Sequence, residues 1–238
     1  MWFVETLLYF TIFYIGYRLI FRPVYKAPDQ LRKLPGDLAI FIFAAGIGLG
    51  SFLIRIWLPV GWNLEPLGLQ LPHFLQYISL LIFGVIAYRN DWLKSITYQR
   101  GMKWFILAQV CIFVFFPIIF LGGGAASGNL DAFMGGWHWQ SFAYAIYEQV
   151  LGFSLIIGLL GIFKEKWNGQ GNWAKTLSAG TYTVYIIHPP IIIFLALGFR
   201  QVELYPPFKF LLLAPIALVL CFGLANIIRK LPLARKIL

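Results

Sequence analysis

The 238 residues are 60% hydrophobic and 18% aromatic, only 12% are charged, and the mean hydropathy is +0.77. That balance excludes a soluble globular domain and indicates a polytopic membrane protein. The net charge of +10 does not imply nucleic acid, because the basic residues sit between apolar runs, where positive-inside sorting puts them.

The apolar runs predict an all-α transmembrane bundle of about seven spans, near 2–21, 38–60, 73–88, 102–121, 139–163, 179–199 and 208–228. Each approaches the roughly 20 residues a helix needs to cross a bilayer. The first run has no basic leader and no small-residue cleavage site, so it reads as a span rather than a signal peptide. The linkers alternate in charge. Arg22, Lys26, Arg32 and Lys33 follow the first span, Arg89, Lys94 and Arg100 the third, Lys164, Lys166 and Lys175 the fifth, and Arg229, Lys230, Arg235 and Lys236 the last. The linkers 61–72 and 122–138 contain no Lys or Arg, and 200–207 only Arg200. This pattern predicts the N-terminus outside and the C-terminus in the cytoplasm. The nine tryptophans fall near span ends, as interface anchors do. Residues 1–238 read as one integral membrane domain, without a repeat or a long soluble segment.

Within the second span, Gly46 and Gly50 fit a small-xxx-small seam for close helix packing. Pro117 and Pro215 read as kinks. Cys111 and Cys221 lie in apolar runs and imply neither a disulfide nor a metal site. No metal ligand set, phosphate-binding loop or nucleophile elbow occurs.

The sixth span carries Thr181-Tyr182-Thr183-Val184-Tyr185-Ile186-Ile187-His188-Pro189-Pro190. Two prolines inside an apolar helix leave the carbonyls of Tyr185 and Ile186 without their helical partners. At membrane depth such carbonyls need protein or a wet cavity. His188 is either a packed histidine bonded to that kinked backbone or a polar group in a cavity.

Ionisable groups inside spans are costly and usually have a reason. Glu5, Arg55, Glu148 and His188 are such groups. Gln140, Tyr144 and Glu148 form a four-residue-spaced stripe on the fifth span, His73 and Tyr77 a shorter one on the third beside Gln76, and Ser51 and Arg55 one on the second. Arg55 either snorkels outward past Trp57 or pairs internally with Glu148 or Glu5. Glu5 is either a cavity group or an interfacial carboxylate near the Met1 amine. Together the stripes predict a cavity that opens outward and narrows toward His188. A seven-span transporter-like or receptor-like protein would fit these features too, although no mid-span lysine is present in the last helix to hold a retinal.

Several stretches resemble the membrane acyltransferase type 3 family. Met1-Trp2-Phe3-Val4-Glu5-Thr6-Leu7-Leu8 is similar to one of its helices. His73-Phe74-Leu75-Gln76-Tyr77, with Phe83-Gly84-Val85-Ile86-Ala87-Tyr88-Arg89-Asn90-Asp91-Trp92, is similar to another helix and its exit loop. Thr181 to Pro189 and Arg229-Lys230-Leu231-Pro232 match further segments. The resemblance implies an integral membrane O-acyltransferase, in a bacterial plasma membrane, moving an acyl group, commonly acetyl, onto a hydroxyl of an envelope sugar or polysaccharide. Acyl-CoA, in the commonest case acetyl-CoA, would be the co-substrate, with no bound cofactor or metal. Partners would be the lipid bilayer and the sugar acceptor, not nucleic acid. His188, Glu148 and Glu5 become candidate catalytic groups, and Arg55, His73, Gln76, Tyr77, Tyr144 and Tyr185 candidate substrate-binding groups. Family members have about ten spans with both termini inside, so seven spans with the N-terminus outside correspond to the last seven. The family's arginine followed about ten residues later by a histidine does not occur at the start of this chain. The resemblance therefore implies a truncated domain, inactive alone, to which a missing N-terminal fragment would bring that pair.

Overall fold

A computed structural model of the chain describes residues 2–21 and 31–231, with side chains from residue 5 onward. Met1, the loop cations Arg22 and Lys26, and Pro232, Arg235 and Lys236 lie outside the described residues, as do the side chains of Trp2, Phe3 and Val4.

Seven long helices carry the fold: α1 (Trp2–Phe21), α2 (Asp37–Arg55), α3 (Phe74–Arg89), α4 (Tyr98–Gly122), α5 (Trp139–Lys166), α6 (Asn172–Gly198) and α7 (Pro206–Ile228). The described residues contain no β-strand, only one isolated bridge between Leu64 and Leu69. Among the described residues, six helical stretches, one of them Leu71–Arg89 and the others α2 and α4 to α7, are long and apolar enough to cross a membrane. Large apolar side chains point outward, among them Phe13, Leu38, Phe113 and Phe194. Six apolar helical stretches of spanning length, with large apolar side chains facing outward, make the chain an integral membrane protein with an all-α architecture.

The span ends that differ most from the sequence reading are those of α2 and α6. α2 stops at Arg55 rather than near residue 60, because Pro59 and Gly61 take the chain into turns. α6 starts at Asn172, not near 179, since nothing from Trp173 to Ser178 interrupts a helix. In α4, a π-helical turn over Cys111–Phe115 precedes Pro117. The wider turn gives the proline ring room beside the carbonyl of Phe113.

The chain divides into two compact units, Met1–Trp167 and Asn168–Leu238. In the first, α5 is the central element, packed on α2 and on α4. Close approach decides which residues line those seams. A Cβ on Gly48 would lie 2.7 Å from the Cα of Ile146, and one on Gly101 would lie 2.7 Å from the Cα of Gly161. Gly46, expected at the α2 seam, has no neighbour there, whereas Gly50 faces Leu75 of α3. Phe43, Phe83 and Phe153 form a triangle with ring centroids 5.7 Å apart, tying α2, α3 and α5 together.

One end of these helices is pinned by polar contacts. Asp37 Oδ1 accepts from Arg100 Nε at 2.6 Å and from Trp104 Nε1 at 2.9 Å. Trp92 Nε1 donates to the carbonyl of Arg32 at 2.7 Å, and Asn90 Oδ1 accepts from the Arg32 amide at 2.8 Å. Trp92 and Trp104 are thus buried clamps, not interface anchors; Trp57, Trp137 and Trp173 remain exposed near helix ends. The opposite end carries the cluster described next.

The second unit is the α6–α7 hairpin. Gly180 faces Phe222 and Ala225, and Thr183, Cys221 and Ala225 are buried. α6 runs through Pro189 and Pro190 without ending.

Candidate functional site

Arg55 is the last residue of α2, and its side chain is fully buried, with 0% exposure. It does not snorkel. A buried guanidinium must be paired or it would be too costly to keep. Its Nη2 donates to Glu148 Oε2 at 2.7 Å. Glu148 comes from the middle turns of α5, on the stripe with Tyr144 and Gln140. The same Nη2 lies 3.1 Å from His73 Nδ1. His73 ends the 3-10 turn Leu71–His73, which feeds directly into α3. His73 Nδ1 and Glu148 Oε1 are 3.6 Å apart. Three separate elements therefore deliver one cation, one carboxylate and one imidazole to a single point.

Aromatic rings enclose the cluster. The Arg55 guanidinium carbon lies 5.8 Å from the centroid of the Tyr144 ring, at cation–π range. Tyr77 stacks on His73 with centroids 6.1 Å apart. Phe120 packs edge-on to Tyr144 and stacks on Phe133. The segment 131–136 closes over the end of α2: Gly136 N donates to the carbonyl of Arg55 at 3.0 Å, and Val60 N to that of Met134 at 2.6 Å.

Exposure divides the roles. Arg55 is sealed, whereas Glu148 and His73 keep 24% and 17% of their side chains accessible. Arg55 can hold charge and geometry; Glu148 and His73 can meet a ligand. The apolar cleft between α1 and α3, about 710 Å³ and lined by Phe10, Phe13, Phe74 and Ile78 with Arg89 at its edge, shares no residue with this trio. Among the described residues no three His, Cys, Asp or Glu side chains are placed to hold a metal.

A family model described as an acyltransferase domain matches residues 1–226. The chain belongs to the acyltransferase type 3 family. No curated protein and no solved structure matches it.

The other candidate residues of this acyltransferase-family chain are placed as follows. Glu5 accepts a hydrogen bond from Tyr9 on its own helix at 3.2 Å, and Arg55 takes Glu148 as its ion-pair partner. Gln76 sits one residue before Tyr77 in the first turn of α3, partly buried. Tyr185 and His188 belong to the second unit, with ring centroids 5.7 Å apart. His188 Nδ1 is 2.7 Å from the carbonyl of Tyr185, so the imidazole answers one of the carbonyls the prolines leave open. Gln140 Nε2 reaches the carbonyl of Gly123 at 3.4 Å.

Sequence reasoning passed over Gln149. It is 1% exposed, and neither amide atom has a partner. Ser51 and Ser141 are also fully buried with unpartnered hydroxyls. The available signal was a Glu-Gln pair inside a span, which places polar groups on two faces of α5.

Proposed function

We propose that the chain is an O-acyltransferase component that moves an acyl group, in the simplest case acetyl, from acyl-CoA to a hydroxyl of an envelope sugar or polysaccharide. The observation that carries this reading, beyond family membership, is the Arg55–Glu148–His73 cluster: a carboxylate and an imidazole left accessible beside a sealed cation. In this reading the cluster faces outward, the N-terminus is outside and the membrane is the bacterial plasma membrane, as the loop charges suggest.

Glu148 takes the proton of the acceptor hydroxyl as its oxygen attacks the thioester carbonyl carbon. The new C–O bond forms, the C–S bond breaks, and CoA leaves as a thiolate that recovers the proton as a thiol. Gln76, Tyr77 and Tyr144 line the acceptor's approach. The Arg–His pair typical of the family would come from a companion N-terminal fragment, and Glu5, Tyr185 and His188 would support the donor or acceptor path.

The test is radiolabelled acetyl-CoA with the purified protein in nanodiscs, alone and with such a fragment, against a panel of envelope polysaccharides. Label transfer that falls at least 100-fold in Glu148→Gln is expected, within the range assigned to general bases. Sugar flux across proteoliposomes without acyl transfer would replace this reading with a transporter.

A further inference from the structure

We infer that Arg55 is a positioning residue that locks His73 in the tautomer with its proton on Nε2, so that His73 enters the site as a hydrogen-bond donor and Glu148 is left as the trio's proton acceptor.

The argument begins with what each atom can do. A guanidinium has only N–H donors and does not lose its proton in proteins. Arg55 Nη2 lies 3.1 Å from His73 Nδ1, so Nδ1 must be the accepting nitrogen of that contact. A neutral imidazole has one acceptor and one donor nitrogen, which puts the proton on Nε2. The competing arrangement has Nδ1–H donating to Glu148 Oε1. That pair is 3.6 Å apart, too long for a hydrogen bond, and it would point two donors at each other across the Arg55 contact. Arg55 is fully buried and held through one nitrogen: Nη2 donates to Glu148, the guanidinium carbon lies 5.8 Å from the Tyr144 ring centroid, and Nε and Nη1 are buried without a partner.

The outer side of the pair is then defined. His73 Nε2 makes no hydrogen bond with any described residue and is not among the sealed polar atoms. Glu148 Oε1 is likewise left unsealed, while Oε2 is taken by Arg55. The trio thus offers one open donor, His73 Nε2, and one open anionic acceptor, Glu148 Oε1. A protonated Nε2 cannot remove a proton from a hydroxyl; it suits an oxygen that gains negative charge, such as the carbonyl oxygen of an acyl group under attack. The site is a cradle for a hydroxyl–carbonyl pair, with the proton going to Glu148. That consequence rests on the acyl-transfer reading; the tautomer itself does not.

The experiment is 15N NMR of protein carrying 15N-histidine in nanodiscs, at neutral to mildly alkaline pH, with His73 assigned by difference against His73→Asn. This measurement needs no activity, so it can succeed where the acyl-transfer reading fails, and the reverse. The wild type should show an unprotonated Nδ1 and a protonated Nε2. Arg55→Met should switch the proton to Nδ1, freed to face Glu148. Arg55→Lys and Glu148→Gln should both retain the wild-type pattern. A proton on Nδ1 in the wild type, an unchanged pattern in Arg55→Met, or a switch in Glu148→Gln would each overturn the inference. If Arg55→Met does not fold, the wild-type and Glu148→Gln spectra still decide it.

Discussion

His188 Nδ1 lies 2.7 Å from the carbonyl oxygen of Tyr185, the same carbonyl whose helical donor would have been the nitrogen of Pro189. The imidazole stands in for a missing backbone N–H one turn along. The contact answers one of the two carbonyls that the prolines leave open, and α6 runs on through Pro189 and Pro190. A double-mutant cycle measures the substitution. His188→Ala should destabilise the protein by about 1 kcal/mol, the net worth of a typical hydrogen bond, since the Tyr185 carbonyl is only part-buried. In a Pro189→Ala background, which restores the amide donor, the same change should cost clearly less. Thermal unfolding of the four proteins in detergent gives the coupling; strict additivity would show that the His188–Tyr185 contact carries no stability.

The glycines of α2 give a second contrast. A Cβ at Gly48 would meet the backbone of Ala145 and Ile146, which cannot yield without separating α2 from α5. A Cβ at Gly46 meets nothing within 4 Å. Gly48→Ala should therefore cost about 1–3 kcal/mol by overpacking. Gly46→Ala should be neutral or stabilise by up to about 1 kcal/mol through helix propensity. Equal effects in denaturant titrations would argue against the seam running through Gly48.

Apolar periodicity made the helices legible, because a span must satisfy its own backbone and so leaves a long unbroken signature. The polar stripes also single out Arg55, His73, Tyr77, Tyr144 and Glu148, since charged groups in a span stand out against lipid-compatible neighbours. What the stripes could not decide was partnership. Glu5 and Glu148 were equal candidates for Arg55, and only the placement of α5 against α2 selects Glu148. The choice of Gly48 over Gly46 was hidden for the same reason: both lie in one short glycine-rich run, and helix rotation, not composition, decides which one meets α5. Trp92 and Trp104 misled because a tryptophan near a span end has the same sequence signature whether its N–H meets a lipid headgroup or Asp37.

The Arg55–Glu148 pair makes a prediction about stability as well as chemistry. Glu148→Ala leaves a sealed guanidinium without its carboxylate and should cost about 3–5 kcal/mol, the usual penalty for stranding a buried charge. Arg55→Met combined with Glu148→Ala removes both charges and should recover much of that loss. Unfolding midpoints of the two single variants and the double variant check it; a double variant less stable than Glu148→Ala would mean that the guanidinium is held mainly by something other than this pair.

Gly135 ties that cluster to the loop above it. A Cβ there would lie 2.5 Å from the Arg55 carbonyl oxygen and 2.8 Å from Pro59 Cβ, and the next residue, Gly136, donates its amide to the same carbonyl at 3.0 Å. The backbone of Gly135 is extended, so the demand is for space rather than for an unusual conformation. Gly135→Ala must push the 131–136 segment off the end of α2, loosening the residue that carries the guanidinium. The expected result is a loss of about 1–3 kcal/mol, together with faster hydrogen exchange at the Gly136 amide. Because the Arg55 side chain is held separately by Glu148 and Tyr144, the His73 tautomer should survive the change. Loss of the Nε2–H signal in Gly135→Ala would instead show that the loop, and not the ion pair, sets the position of Arg55.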